Sequence, residues 1–480
     1  MLRQADSKLP LAAQQGLLPQ DAYMRLLCCT LAGYALLGKG FAYIGISPLF
    51  IGEIALGLGL CVIFRACTLA MLATIPSLLL TTLFALVMIE VLASVPAYGI
   101  DAIRDSVIML YSLFAFIVIA LILEKPERLD WTLRTYGRFA WLYGMVGGIV
   151  YFLGAQLADK FYLDGLYFPG TQIVAVPYLR AGEAASHVTG AAVFILLGFR
   201  RVPLPWVLLL LVSIVMVTAS RGAMLSCVIP IGLAAVLGGQ MRRVTPILML
   251  SGALLAVTYA FGLKIPIPGP EGAERDVGPA QILENFESIV GTSSASNLDG
   301  TKMWRLNWWQ AIRNYTFNGP YFWTGKGYGF GLAEADGFVI NAEKNAPLVR
   351  SPHNAHLTVL ARSGVPGLAL WVVTGVAWFG SLMYAMTVAR LRGDTQWANL
   401  FLWIACYWLA IVIDASFDVA LEGPMLGIWF WSLFGLGIAS TMIYRAHARL
   451  ATGGMMPLLQ SSEPARATRF AFVQPPNSEL

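Results

Sequence analysis

The sequence predicts an all-α integral membrane protein of about twelve transmembrane helices with one large extracytoplasmic insert. Three observations predict it. The chain of 480 residues is 58% hydrophobic and only 12% charged, too apolar for a water-soluble domain. Apolar windows near the ~20 residues that cross a bilayer recur along it. Lys and Arg collect on alternate connections between those windows. The net charge of +5 is scattered through short loops, which excludes a nucleic-acid surface.

The windows fall at 24–38, 49–64, 69–91, 103–123, 139–157, 184–199, 204–219, 223–239, 245–263, 356–388, 397–415 and 424–444. Arg65, the Lys125/Arg128/Arg134/Arg138 group, Arg200-Arg201, Arg242-Arg243, Arg390/Arg392 and Arg445/Arg449 mark every second connection. Cytoplasmic loops carry the excess of positive charge, so both termini are expected inside. The opposite connections are poorer in cations; Asp414 to Glu422 holds three acids and no base. The chain then divides into a cytoplasmic tail (1–23), a first bundle (24–264), an extracytoplasmic loop domain (265–352), a second bundle (353–444) and a disordered cytoplasmic tail (445–480). The N-terminus lacks a continuous apolar run, so the first span is expected to act as the signal. Cys28, Cys29, Cys61, Cys67, Cys227 and Cys406 all lie in or beside apolar stretches, which argues against a disulfide framework.

Long inserts in compact proteins are usually functional. This one opens with Pro266, Pro268, Gly269 and Pro270, a stiff exit from the membrane. Ala280–Val290 reads as a short amphipathic helix, Gly291–Gly300 as a flexible link, and Thr301–Tyr315 as a second helix carrying Trp304, Arg305, Trp308, Trp309 and Arg313. Gly325–Gly331 is a glycine-rich turn. It lacks the strand–loop–helix setting and the Gly-Lys-Ser/Thr ending of nucleotide loops, so it reads as a bend that lets backbones pack closely.

The chemistry concentrates where the insert ends. The chain has four histidines, and two of them stand in Ser351-Pro352-His353-Asn354-Ala355-His356-Leu357. A neutral imidazole at a membrane boundary can take a proton from a hydroxyl; the bland alternative is an interfacial helix cap. Arg180, Arg221, Arg305 and Arg350 are predicted on the same outer side. Arg221 interrupts apolar sequence in Thr218-Ala219-Ser220-Arg221-Gly222. It is either a snorkelling interfacial cation or half of an anion site, since guanidinium forks hold phosphate oxygens bidentately. Arg305 and Trp309 share a helix face, which suits a ligand with both phosphate and sugar, or a helix lying on the membrane. Glu53 and Glu90, with Lys39 nearby, read as a structural ion pair. The sequence holds no Asp-x-Asp, His-Glu-x-x-His or Cys-x-x-Cys, so no catalytic metal and no cofactor are predicted.

These motifs, in this order, resemble the O-antigen ligase and O-antigen polymerase family: Thr218–Gly222, Arg305 with Trp309, the Gly325–Gly331 turn, and His353-Asn354-x-x-Leu357 ending in Gly364-x-x-Gly367. The resemblance spans residues 50 to 440. It implies a GT-C-like, metal-independent, inverting glycosyltransferase of the bacterial inner membrane. Such enzymes move a glycan from undecaprenyl diphosphate to an acceptor hydroxyl on the outer face. By motif match, Arg221, Arg305 and Arg180 would hold the donor diphosphate and His353 would be the catalytic base. His356, Asn354 and Trp309 would contact acceptor or glycan. After Arg180 this chain has Glu183-Ala184-Ala185-Ser186-His187 where the family often has Pro-Asn, and His356 stands where an aromatic residue is common. The implied partners are the lipid-linked glycan, an acceptor glycolipid or glycan, and membrane lipid. A polymerase of O-antigen or exopolysaccharide is the alternative; a lipid-linked glycan transporter is more remote, since transporters are often built from repeats with midplane sites, and no repeat is visible here.

Overall fold

A computed structural model describes residues 19–46, 48–64, 69–163, 176–218, 220–262, 265–268, 274–277, 296–338 and 349–451. The long helices are α1 (Pro19–Leu37), α2 (Ile51–Ile63), α3 (Ile75–Tyr98), α4 (Leu113–Glu124), α5 (Glu127–Leu163), α6 (Ala181–Leu196), α7 (Leu204–Val217), α8 (Arg221–Leu237), α9 (Met241–Ala260), α10 (Ser296–Phe317), α11 (Ala355–Leu391), α12 (Thr395–Ala415) and α13 (Pro424–Ala451). Among the described residues, seven helices are long and apolar enough to cross a membrane, counting Val107–Glu124 as one, and α2, α6, α7 and α8 are shorter apolar helices. Each apolar window of the sequence coincides with helix. The chain is therefore an all-α membrane protein, apart from two small antiparallel hairpins: Gly45–Ile46 with Leu49–Phe50, and Ile265–Pro268 with Glu274–Val277. Pro266 and Pro268 of the expected stiff exit lie in the second hairpin; Gly269 and Pro270 lie outside the described residues. The expected helix at Ala280–Val290 and the C-terminal tail beyond 451 lie outside the described residues.

Helices in a bilayer gain little from burying apolar surface against one another, so close packing and shared hydrogen bonds must hold them. Both are present. Indole N–H groups bridge helices by donating to backbone carbonyls: Trp378 to Phe434, Trp403 to Gly190, Trp429 to Leu31 and Trp431 to Ile108, all at 2.7–3.1 Å. Where α13 crosses α4, a Cβ on Gly435 would stand 2.4 Å from the Ala115 carbonyl. Glycine there sets the helix separation.

The acids do not pair with Lys39 as the sequence suggested. Glu53 accepts from Phe50 N and from the Tyr111 hydroxyl, so it closes the first turn of α2. The Lys39 ammonium lies over the Tyr178 ring. Arg350 is likewise structural, held by Asp105 at 2.8 Å.

The feature that places the site is a break in α11. Gly364 has φ 65° and ψ −165°, outside helical geometry, and frees backbone groups on both sides. The Gly325–Gly331 turn fills the gap. Lys326 N donates to Ala361 O, Gly327 N to Arg362 O, and Val365 N to Phe322 O, at 2.7–3.0 Å. Broken helices persist at membrane depth only when their freed backbone is satisfied in this way. Arg362, 2% exposed, locks the joint by donating to the carbonyls of Gly327, Phe330 and Arg350 and pairing with Asp105 at 3.1 Å. Below the turn, Trp308 and Ile312 of α10 pack on Leu360 and Ala361. Residues 304–331 of the insert and the first segment of α11 pack together.

Gly364→Ala is expected to break this joint. Its Cβ would meet the Phe322 carbonyl at 2.5 Å in a backbone region that non-glycine residues avoid, costing on the order of 1–3 kcal/mol from backbone strain alone. Thermal unfolding in detergent should show a clear drop in midpoint. Gly380→Ala in the same helix, with nothing within 4 Å, should show none.

Candidate active site

Helix connectivity brings the starts of α6, α8, α11 and α13 and the end of α12 to one end of the bundle. The Arg200, Arg242, Arg390 and Arg445 clusters lie at the opposite end; Arg390 donates to the Leu237 carbonyl there. Three of these helices, α6, α8 and α11, begin with a local capping solution. Ser220 caps α8 through Ala223 N, Glu183 reaches back to Arg180 N at the start of α6, and Asn354 Oδ1 accepts from His356 N and Leu357 N to cap α11. Asn and Ser are favoured at these positions because their oxygens satisfy first-turn amides.

The residues from Asp414 to Val419, at and beyond the end of α12, form the hub. Asp418 Oδ1 accepts from Arg180 Nη1 at 2.9 Å and from Val419 N at 2.8 Å, and lies 3.5 Å from His353 Nδ1. Burial opposes ionisation of Asp418. The His353 hydrogen bond, the Arg180 charge and the Val419 amide outweigh it, and together hold the carboxyl well below the usual range. Arg305 Nη1 donates to the Phe417 carbonyl at 2.7 Å. At the start of α8, a Cβ on Gly222 would stand 3.0 Å from Phe417 Cβ, so Arg221 adjoins the same loop. Asn354 Nδ2 donates to Ser416 O, and His356 Nε2 meets Ser416 Oγ at 3.1 Å. Of the four residues read as catalytic or phosphate-binding, His353, Arg305 and Arg180 thus reach one loop, and the start of the helix that carries Arg221 packs against it.

The two histidines differ in what their nitrogens are free to do. An indole N–H can only donate, and Trp371 Nε1 donates to His356 Nδ1 at 2.9 Å. The proton of His356 therefore sits on Nε2, directed at Ser416 Oγ. Both nitrogens are committed, and His356 positions the loop. His353 is the opposite case. An ionised carboxylate can only accept, so Asp418 fixes the His353 proton on Nδ1 and leaves the Nε2 lone pair as the basic position. His353 is also the one non-glycine residue with positive φ (55°) among those described. Such strain persists where the surroundings over-determine a residue, and it gathers at functional sites. Its imidazole is 30% exposed, with the edge of Trp304 beside it.

Sequence reasoning missed Asp418. The signal was an acid-rich, cation-free connection, used only to orient the chain. Several cations predicted on one face demand a counter-charge, and that loop was the nearest supply. Trp309, expected as a glycan contact, uses its indole N–H to hold Pro352 O at 2.8 Å. Asn354 is spent on capping and on Ser416. Glu422, also unassigned from sequence, accepts from Thr358 Oγ1 at 2.9 Å beneath the His353 loop.

The fold and site define a helical membrane protein with a His–Asp pair and arginine-bearing segments around one loop at one end of the bundle. Residues 206–372 match the family model described as O-antigen ligase, a stretch that includes Arg221, Arg305 and His353. Over that stretch the chain carries an O-antigen ligase family region, in agreement with its motifs. The match supports an enzyme of the glycosyltransferase kind, ligase- or polymerase-like, acting on lipid-linked glycans. No curated protein matches the chain.

Proposed function

We propose that this protein is a metal-independent, inverting glycosyltransferase that moves a glycan from undecaprenyl diphosphate to an acceptor hydroxyl at the outer face of the bacterial inner membrane. The observation that carries the proposal is the strained His353, with Nδ1 directed at Asp418 and the arginine-bearing segments converging on the same loop. His353 Nε2 takes the proton of the acceptor hydroxyl. The acceptor oxygen attacks the anomeric carbon from the face opposite the diphosphate, and the bond from that carbon to the diphosphate oxygen breaks. Arg221 and Arg305 neutralise the charge that develops on the departing diphosphate. Arg180 acts through Asp418, keeping the carboxylate ionised and in place, a role different from the phosphate contact expected of it. With both termini and the basic clusters in the cytoplasm, the site and the 265–352 insert face outward.

The acceptor decides between a ligase and a polymerase. Purified protein in nanodiscs would receive an undecaprenyl-diphosphate glycan with lipid A–core acceptor or with none. Product on lipid A–core identifies the ligase, which is the outcome expected; lengthening of the donor glycan alone identifies the polymerase. Arg221→Ala should lower turnover at least ~100-fold in either case, the scale of losing one preorganised donor to a developing anion. Absence of product from the native enzyme with both acceptors would overturn the proposal.

A further inference from the structure

His353 holds a positive φ of 55° between Pro352 and Asn354, a conformation that persists only where the surroundings impose it. Three contacts do so. Trp309 Nε1 donates to Pro352 O at 2.8 Å on one flank, and Asn354 Nδ2 donates to Ser416 O at 2.9 Å on the other. The third closes the arch at its base, where the Ser351 and Thr358 hydroxyls, both buried, meet at 3.0 Å. Glu422 reaches this base from a different element, the short turn Ala420–Glu422 between α12 and α13. Its Oε1 accepts from Thr358 Oγ1 at 2.9 Å, and its carboxyl also accepts from Ser351. A single residue ties that turn to Asp418. Val419 N donates to Asp418 Oδ1 at 2.8 Å, and Glu422 N donates to Val419 O at 3.0 Å.

We propose that Glu422 is a positioning residue for His353: it fastens the Ser351–Thr358 arch to the same connection that carries Asp418, and so sets the imidazole against its carboxylate. The inference rests on the transferase reading above. The two acids have different tasks. Asp418 meets the ring and directs its proton, whereas Glu422 meets hydroxyls and holds the backbone from which the ring hangs. They also differ in what their places require. Asp418 faces a guanidinium and an imidazole, where charge matters. The hydrogen-bond partners of Glu422 are two neutral hydroxyls, and burial pushes its carboxyl up, against their pull and that of the Arg362 charge. Position 422 therefore requires an accepting oxygen, which a glutamine also supplies. Without that oxygen the two hydroxyls still meet each other, but their tie to the Asp418 connection is gone. The arch is then left to pivot about the contacts of Asn354 and His356 with Ser416.

Glu422→Ala in the full-length enzyme in nanodiscs should lower kcat on the order of 10²-fold, the scale of an ångström-sized misplacement of a reacting group. The KM for an undecaprenyl-diphosphate glycan should not change, because Arg221 and Arg305 are untouched. Glu422→Gln should recover most of the loss. The Asp418→Asn background separates positioning from a general weakening of the fold. There His353 has already lost its hold, so adding Glu422→Ala should lower kcat by no more than about threefold further, as for residues that act as one unit. Losses that multiply would overturn the assignment, and so would a glutamine variant as impaired as the alanine one. A second readout does not depend on turnover. Hydrogen exchange in the Ser351–Thr358 segment, where Asn354 Oδ1 holds His356 N and Leu357 N, should quicken about tenfold or more in Glu422→Ala. It should return toward native in Glu422→Gln, with α12 unchanged in both. Quickening spread through α12 and α13 would mean lost stability rather than lost position, and would overturn the proposal. If native protein transfers no glycan yet exchange follows the expected pattern, the anchoring of His353 by Glu422 stands and the transferase reading falls.

Discussion

His353→Ala is expected to abolish glycan transfer while leaving membrane insertion and thermal midpoint close to native. Removing a positioned general base costs typically 10²–10⁴ in rate, and no other group among the described residues is ready to replace it. The nearest substitute, His356, has its acceptor nitrogen filled by Trp371 and its N–H directed at Ser416. His356→Ala should therefore impair turnover more mildly, by loosening the Ser416–Phe417 loop. The imidazole of His353 is part-exposed and its backbone is strained, so alanine leaves no large cavity. Glycine at 353 would relieve the strain of about 1–3 kcal/mol and should raise the midpoint above that of the alanine variant. The checking measurement is single-turnover transfer beside thermal unfolding of the same preparations. Transfer by His353→Ala within threefold of native would sink the proposed base.

Asp418→Asn should be nearly as damaging, for a different reason. The amide keeps the shape but offers one acceptor and one donor where the carboxylate offers only acceptors. Its Oδ1 can still face Arg180, Val419 N and His353 Nδ1, but it lacks the negative charge that holds Arg180 and stabilises a protonated imidazole. The hold on the His353 tautomer weakens with that charge, and loss of a carboxylate in that role costs up to roughly 10⁴ in rate in serine proteases. The pH dependence follows from the lowered pKa of Asp418. A carboxyl with a folded value below its unfolded ~3.9 contributes fully above that unfolded value. The contribution is lost only as pH falls through the lower folded value. Between pH 5 and 8 the difference in thermal midpoint between native and Asp418→Asn protein should therefore carry no contribution from titration of Asp418. Loss of the Asp418 contribution on going from pH 7 to pH 5, read as native and variant midpoints converging, would contradict the assignment.

Much of the fold was legible because bilayer-crossing helices announce themselves by length and composition. The windows at 356–388, 397–415 and 424–444 needed only small extensions to become α11, α12 and α13. The break in α11 was not legible as such. Gly364 and Pro366 follow Arg362 and Ser363 inside a mostly apolar span, and only the arrival of the Gly325–Gly331 backbone makes non-helical geometry tolerable there. Of the site, the residues that carry unusual chemistry for their setting, Arg221 and His353, could be picked out because a cation or imidazole in apolar sequence asks for a reason. Asp418 could not, since an acid in a loop is ordinary until its three-dimensional neighbours are known. The roles of Trp309 and Asn354 were blurred by the same limit. Both side chains were read by what they can bind, and the structure shows that neighbouring backbone has already claimed them.

The filled break in α11 also constrains how the chain is made. Residues 322–331 leave the ribosome before residues 355–391, so the turn is made ahead of the helix that will receive it. When α11 enters the bilayer, the carbonyls of Ala361 and Arg362 meet donors already waiting. A circular permutation that delivers the helix first would leave those carbonyls bare in the hydrocarbon during insertion. The order of synthesis is thus part of what makes an interrupted membrane helix tolerable.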